Sequence, residues 1–134
     1  MAQGVSYMVA SDLLRLRGSD GIAVVDVRDE ERSFDGHIAG SLSYASDSFE
    51  EKIPNLLQDV KKKDIIVFHC AKSQIRGPTC ARLFSDHLNR NTSVDKVGSV
   101  PRIYVLQRGF NGWAAAGHPV CYCGEQNCQK NVHT

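Results

Sequence analysis

The stretch from Ile65 to Leu88, IIVFHCAKSQIRGPTCARLFSDHL, constrains the fold most tightly. Ile65 to Phe68 is a continuous apolar run of the kind found in a strand buried on both faces. It leads directly into His69 and Cys70. Five residues then separate Cys70 from Arg76, and Arg76-Gly77-Pro78 opens a helical pattern from Pro78 to Leu88. Proline suits a first helical turn, because its missing N–H would have no partner there and its φ is already helical. The helix is therefore expected to begin directly after Arg76. A thiol is thus delivered where a strand gives way to a helix N-terminus. The thiolate is the nucleophilic form of cysteine, and converging backbone N–H groups and a helix dipole favour it. The arc between Cys70 and Arg76 is short enough for its amides to point inward as an anion-binding nest, closed by a guanidinium fork. His69 reads as an electrostatic partner or a brace for the loop. A lone cysteine at a strand end is ordinarily a small buried apolar residue. Here the combined order of strand, thiol, arc, arginine and helix points to chemistry.

Strands and helices alternate elsewhere too. Val5 to Val9 reads as a short strand, and Ser11-Asp12 caps a brief helix containing Leu13-Leu14. Ile22 to Val25 is a second buried strand, ending in Asp26-Val27-Arg28-Asp29, polar groups that suggest the rim of a site. Glu30 to Phe34 could make one helical turn. Gly36-His37-Ile38-Ala39-Gly40 reads as a tight loop entering a small strand at Ser41 to Tyr44. Phe49, Ile53, Leu56, Leu57 and Val60 have amphipathic-helix spacing. Pro54 suggests that the helix proper starts near it, with 48–53 as lead-in. Asn89 to Ser99 reads as a polar loop and Ile103 to Leu106 as a last strand. Gly109, Phe110, Trp113 and Gly117 mark a short helix that Pro119 stops. This order predicts an α/β protein with right-handed crossovers, its central, mainly parallel sheet flanked by helices on both faces. Ligands of such sheets sit beyond the carboxyl ends of the central strands, which is where Cys70 falls.

A length of 134 residues suits one domain. The formal net charge is +1 with both signs interspersed, which argues against a nucleic-acid or membrane surface. The chain has no apolar stretch of transmembrane length, and its first residues lack a signal-peptide layout. A monomer in a cytosolic or nuclear setting is expected. In such a compartment its five cysteines would be free thiols rather than a disulfide framework.

Asp26-Val27-Arg28, Gly36-His37-Ile38-Ala39-Gly40, His69-Cys70 and the run Gly109-Phe110, Trp113, Gly117 and Pro119 resemble the rhodanese-homology domain over nearly the whole chain. The loop refines the resemblance. Sulfurtransferase rhodaneses usually carry a loop one residue shorter. The spacing here, with Arg76-Gly77-Pro78, resembles the cell-division-cycle dual-specificity phosphatases and their arsenate-reductase relatives. With its cysteine-rich tail, the chain is most similar to the small plant members of that branch. The resemblance implies a rhodanese-like catalytic domain over residues 1–119. It implies reduction of arsenate to arsenite with glutathione and glutaredoxin, alongside protein tyrosine or dual-specificity phosphatase activity on phosphorylated protein. Cys70 would be the nucleophile and Arg76 the oxyanion clamp, with the amides of Ala71, Lys72, Ser73, Gln74 and Ile75 as the cradle. One extra residue widens the ring of amides, so that it takes a tetrahedral oxyanion instead of a persulfide sulfur. The alternatives are a thiosulfate sulfurtransferase and a non-catalytic rhodanese-like binding module. Two departures stand out. Ile75 replaces the glutamate that the cell-cycle phosphatases carry before the loop arginine, and Val27 replaces their second, protective cysteine. Cys80 shares a helical stripe with Phe84 and Leu88, which favours a core role. The general acid is open among Asp29, Glu30, Glu31 and Asp47.

Residues 120–134 read as a zinc-binding tail packed on the same domain. Cys121, Cys123 and Cys128 place three thiolates within eight positions. Soft thiolates with one imidazole would make a closed structural zinc site, holding down a segment with little apolar content. His118 is the nearest fourth ligand in sequence. His37 resembles the position that supplies it in the plant proteins and is favoured here. His133 is a remote third.

Overall fold

A computed structural model of the chain describes residues 5–16, 21–28, 36–38, 41–44, 48–60, 63–70, 76–91, 101–118 and 120–121, with backbone alone for 89–91 and 121. Apolar runs of strand length produce the main sheet: β1 (Val5–Met8), β2 (Ile22–Asp26), β4 (Leu42–Ser43), β5 (Ile65–His69) and β6 (Arg102–Leu106). Its order is β1-β6-β5-β2-β4, and every neighbouring pair is parallel. β5 is the central strand, so Cys70 lies at the middle of the sheet's carboxyl edge. A second, two-stranded sheet pairs β3 (His37–Ile38) with β7 (Val120–Cys121) in antiparallel fashion.

Side-chain alternation along the strands divides the core in two. Ala23, Val25, Ile66, Phe68, Ile103 and Val105 face one cluster, which also takes Phe49, Ile53 and Leu56 from α2 (Phe49–Asp59) and Cys80, Ala81 and Phe84 from α3 (Arg76–Asn91). Ile22, Val24, Val67 and Leu106 face the other, together with Leu13 of α1 (Ala10–Leu16) and Phe110 and Trp113 of α4 (Gly109–Ala115). Helices therefore cover both faces of a parallel sheet. Phe68 anchors the first cluster, its ring meeting Phe49 edge-on at 5.8 Å and Phe84 at 5.6 Å. No helix among the described residues is long and apolar enough to cross a membrane.

Four local expectations are corrected. α2 begins at Phe49 and contains Pro54 in its interior. Burial of Phe49 and Ile53 holds the turn before the proline, outweighing a cost of about 3 kcal/mol for a proline inside a helix. α3 runs to Asn91, so 89–91 belong to the helix and not to a polar loop. His37-Ile38 is a short strand rather than part of a tight loop, and its partner is the start of the tail. The helix expected after Arg76 starts at Arg76 itself, with Pro78 in its first turn.

Candidate active site

Cys70 follows the last residue of β5 and is only 3% exposed. Its backbone is held from several directions. The Phe110 N–H of α4 donates to the Cys70 carbonyl at 2.9 Å, and the Val27 N–H after β2 donates to the His69 carbonyl at 2.9 Å. His69 Nδ1 lies 3.2 Å from the same Cys70 oxygen, which can only accept, so in this contact the proton sits on Nδ1. The imidazole is thus a brace for the backbone that carries the thiol. The ring also stacks on Phe110, with centroids 6.5 Å apart.

The helix side is equally tight. Arg76, half-buried, opens α3, and Gly77 follows against the thiol's own backbone. A Cβ added at Gly77 would stand 3.3 Å from Cys70 N and 3.4 Å from His69 Cα, so only glycine lets the helix approach this closely. The first turn of a 16-residue helix therefore lies beside Cys70, a placement that offers backbone donors and a positive dipole end to an anion. Ala71, Lys72, Ser73, Gln74 and Ile75 lie outside the described residues. So do the acid candidates Asp29, Glu30, Glu31 and Asp47.

Asp26 and Arg28 are not a solvent-facing rim; both are fully or almost fully buried. Arg28 Nε donates to the two Asp26 carboxylate oxygens at 3.0 and 3.1 Å, and a terminal nitrogen donates to Oδ2 and to the Gly36 carbonyl, each at 2.6 Å. The Arg28 N–H donates to Asp26 Oδ1 at 2.9 Å. The guanidinium also sits 4.1 Å from the centroid of the Phe110 ring. Burial alone would push the Asp26 carboxyl up, but the adjacent His69 and Arg28 overcome this and hold it down at about 2. Asp26 therefore stays ionised and is not a proton donor for a reaction. The pair clamps the end of β2, the 36–38 segment and α4 together around β5, and sequence reasoning missed this role. The available signal was the two-residue spacing at a strand end, which points both side chains to one face.

Cys80 is buried in the same cluster as Phe84, in keeping with its helical stripe. Of the tail residues, Cys121 is in register with His37 across β3 and β7, and His37 is fully buried. The His118 ring rests against Trp113, with centroids 4.8 Å apart. Among the described residues no group of three metal-binding side chains converges. Cys123, Cys128 and His133 lie outside those residues.

Comparison with known proteins matches residues 9–116 to the rhodanese-like domain. The dual specificity phosphatase Cdc25 of Arabidopsis thaliana is 54% identical over 96% of this chain and 86% of its own length. Arsenate reductase 2.2 of Oryza sativa subsp. japonica is 52% identical over 96% of this chain and 97% of its own. Among solved structures, an As-Sb reductase from Leishmania major superposes with a TM-score of 0.73 at 28% identity, covering 84% of this chain and 79% of that one. A cysteine at the carboxyl end of the central parallel strand, the helix packed on it and a match over most of the length agree: the chain belongs to the rhodanese-like domain family, with Cdc25-type phosphatase and plant arsenate reductase relatives.

Proposed function

We infer that this protein is an arsenate reductase that uses glutathione and glutaredoxin, with protein tyrosine phosphatase activity from the same nucleophile. The observation that carries this reading is the close packing of Gly77 and the first turn of α3 on Cys70, with Arg76 standing beyond the five residues that follow the cysteine. Relatives named arsenate reductase and dual specificity phosphatase, each more than 50% identical, support it. Arsenate and phosphate are both tetrahedral oxyanions, and a cradle for either, made by the amides of Ala71 to Ile75 with Arg76, belongs to this proposal. The Cys70 thiolate attacks arsenic and displaces one hydroxyl, which leaves as water. Glutathione then replaces a second hydroxyl without any change of oxidation state. A glutaredoxin thiolate attacks the glutathione sulfur, and the electron pair of the As–S bond stays on arsenic as arsenic(III). A glutaredoxin–glutathione disulfide is the oxidised product, and water then cleaves the remaining Cys70–arsenic bond, releasing arsenite and the thiol. Phosphotyrosine hydrolysis shares the covalent start, with water cleaving the phosphocysteine. Ile75 supplies no acid from within the loop, which weighs against expelling a poor leaving group and favours arsenate. Purified protein with glutathione and glutaredoxin should reduce arsenate, and failure to do so would overturn this reading.

Gly77→Ala tests the carrying observation. The added methyl meets backbone at Cys70 and His69, and the helix must retreat by a few tenths of an ångström. A fall in kcat/KM for arsenate by about tenfold or more is expected, out of proportion to any change in Tm.

A structural zinc ion held by Cys121, Cys123, Cys128 and His37 belongs to the same proposal. His37 and Cys121 are in register across β3 and β7, which supports His37 as the fourth ligand. His118, resting on Trp113, is the weaker choice. The ion would hold the tail and take no part in the chemistry. Elemental analysis should find one zinc per chain, lost in Cys121→Ser and retained in His118→Gln. Glutaredoxin and phosphorylated proteins are the proposed partners, and the cytosol or nucleus the proposed setting.

A further inference from the structure

We propose that docking of the tail strand β7 on β3 sets the position of the Cys70 backbone, so that the tail and the oxyanion site are coupled. This rests on the reading of Cys70 as the nucleophile. The coupling runs through contacts that the structure gives from one end to the other.

β3 is two residues long and the sheet it forms has two strands, so among the described residues β7 is its one strand partner, with Ile38 in register with Val120. A strand pair this short depends on what it packs against. Ile38 is fully buried in the cluster that holds Phe110 and Trp113, and Val120 lies half-buried against the same cluster. Gly36 enters β3 with φ of 80°, a turn that glycine takes without strain, and its carbonyl accepts from Arg28 at 2.6 Å. The same guanidinium is bound by Asp26 and lies 4.1 Å from the centroid of the Phe110 ring. The Phe110 N–H in turn donates to the Cys70 carbonyl at 2.9 Å, and its ring stacks on His69.

The chain path closes this circuit. α4 begins with Phe110 against the nucleophile and ends where the Gly117 and His118 N–H groups donate to the Ala114 and Trp113 carbonyls, at 3.0 and 3.3 Å. The chain then returns to β3 as β7. α4 is therefore held by Cys70 at its start and by the tail at its end. Cys70 itself belongs to the cluster on the other face of the sheet, so the tail acts on it through Arg28 and Phe110 and not by contact. With β7 released, β3 loses its partner and the Gly36 carbonyl is no longer fixed. The buried guanidinium then has to shift towards another acceptor, because a buried donor without one is costly. Phe110 moves with it and the Cys70 carbonyl follows. A displacement of about 1 Å at a reacting group is enough to lower a rate about a hundredfold.

The test is Val120→Asp in the whole chain, which sets a carboxylate against the apolar cluster and leaves every proposed zinc ligand in place. Amide hydrogen exchange should quicken at β3 and β7. It should also quicken at Phe110, by about tenfold or more relative to Ile103 and Val105 in β6, and Kd for inorganic phosphate should rise about fivefold or more. Ile65→Ala is the control, since Ile65 packs on the same cluster from the amino end of β5. It should lower Tm while leaving the relative exchange of Phe110 and the phosphate Kd unchanged. Coupling is reciprocal, so saturating phosphate should slow exchange at β3 and β7 in the wild-type protein by about the factor that Val120→Asp takes from phosphate binding. Phe110 exchange and phosphate affinity that stay at the Ile65→Ala level while β3 and β7 loosen overturn the proposal. If Val120→Asp leaves β3 and β7 protected, the wild-type arm decides, and protection there that ignores phosphate overturns it. If the wild-type protein binds no phosphate, the oxyanion reading of Cys70 fails, and the exchange rate of Phe110 alone decides whether the tail reaches the Cys70 backbone.

Discussion

Cys70→Ser is expected to lower arsenate reduction and aryl phosphate hydrolysis together, by about a thousandfold or more, while the protein stays folded. Both reactions begin with the same bond from sulfur to the central atom. A serine hydroxyl is not ionised near neutral pH, and the neighbouring His69 Nδ1 is engaged with the Cys70 carbonyl. The fold should survive because the interactions that hold position 70 belong to the backbone: the Phe110 N–H on its carbonyl and the close approach of Gly77 to its nitrogen. Circular dichroism and Tm near wild type, beside lost activity, separate a missing nucleophile from a damaged site. Loss of one reaction with retention of the other would show that they do not share Cys70.

Arg28→Met should carry the largest stability loss, about 3–5 kcal/mol in denaturant melts. It removes a guanidinium that serves the Asp26 carboxylate, the Gly36 carbonyl and the Phe110 ring at once, and it leaves a buried carboxylate uncompensated. Activity should fall as well, since Phe110 is bonded to the Cys70 carbonyl. The pH dependence of the wild-type protein follows from the same carboxylate, which His69 and Arg28 together hold ionised. The folded carboxyl sits at about 2 against an ordinary value of 3.8, so the folded state binds this proton less readily than the unfolded state. Its contribution, about 2 kcal/mol, is present above about pH 4 and is lost as pH falls through about 2. Melts between pH 5 and pH 2 should show this decline. Asp26→Asn, folded or refolded at neutral pH, should start from lower stability and lose less over that window. An unchanged acid limb in Asp26→Asn would show that the pair does not govern it.

The central features of the site were legible because they depend on local order. A buried strand, a thiol, a short arc and a proline-initiated helix fix the position of Cys70 without long-range information. The alternation of strands and helices then implies the parallel sheet. Burial was harder to read. Asp26 and Arg28 look like rim residues by type and position, and only the packing of Gly36 and Phe110 around them makes them a buried clamp. Pro54 was overweighted because its local penalty is visible in sequence, whereas the burial of Phe49 and Ile53 that offsets it is not. The pairing of β3 with β7 was invisible for a different reason. Two-residue strands have no periodicity, so the opposition of His37 and Cys121 exists only in three dimensions. Cys80 was read correctly because a helical stripe is a periodic signal.

The most direct measurement compares kcat/KM for arsenate with glutathione and glutaredoxin, for an aryl phosphate, and for thiosulfate with cyanide, using one preparation and its Cys70→Ser variant. The proposed cradle, with Cys70 and Arg76 but no acid in the sequence between them, predicts that arsenate is turned over best, the aryl phosphate less well and thiosulfate least, with every activity lost in the variant. Thiocyanate formation exceeding arsenate reduction, or arsenate reduction that survives in Cys70→Ser, would contradict it.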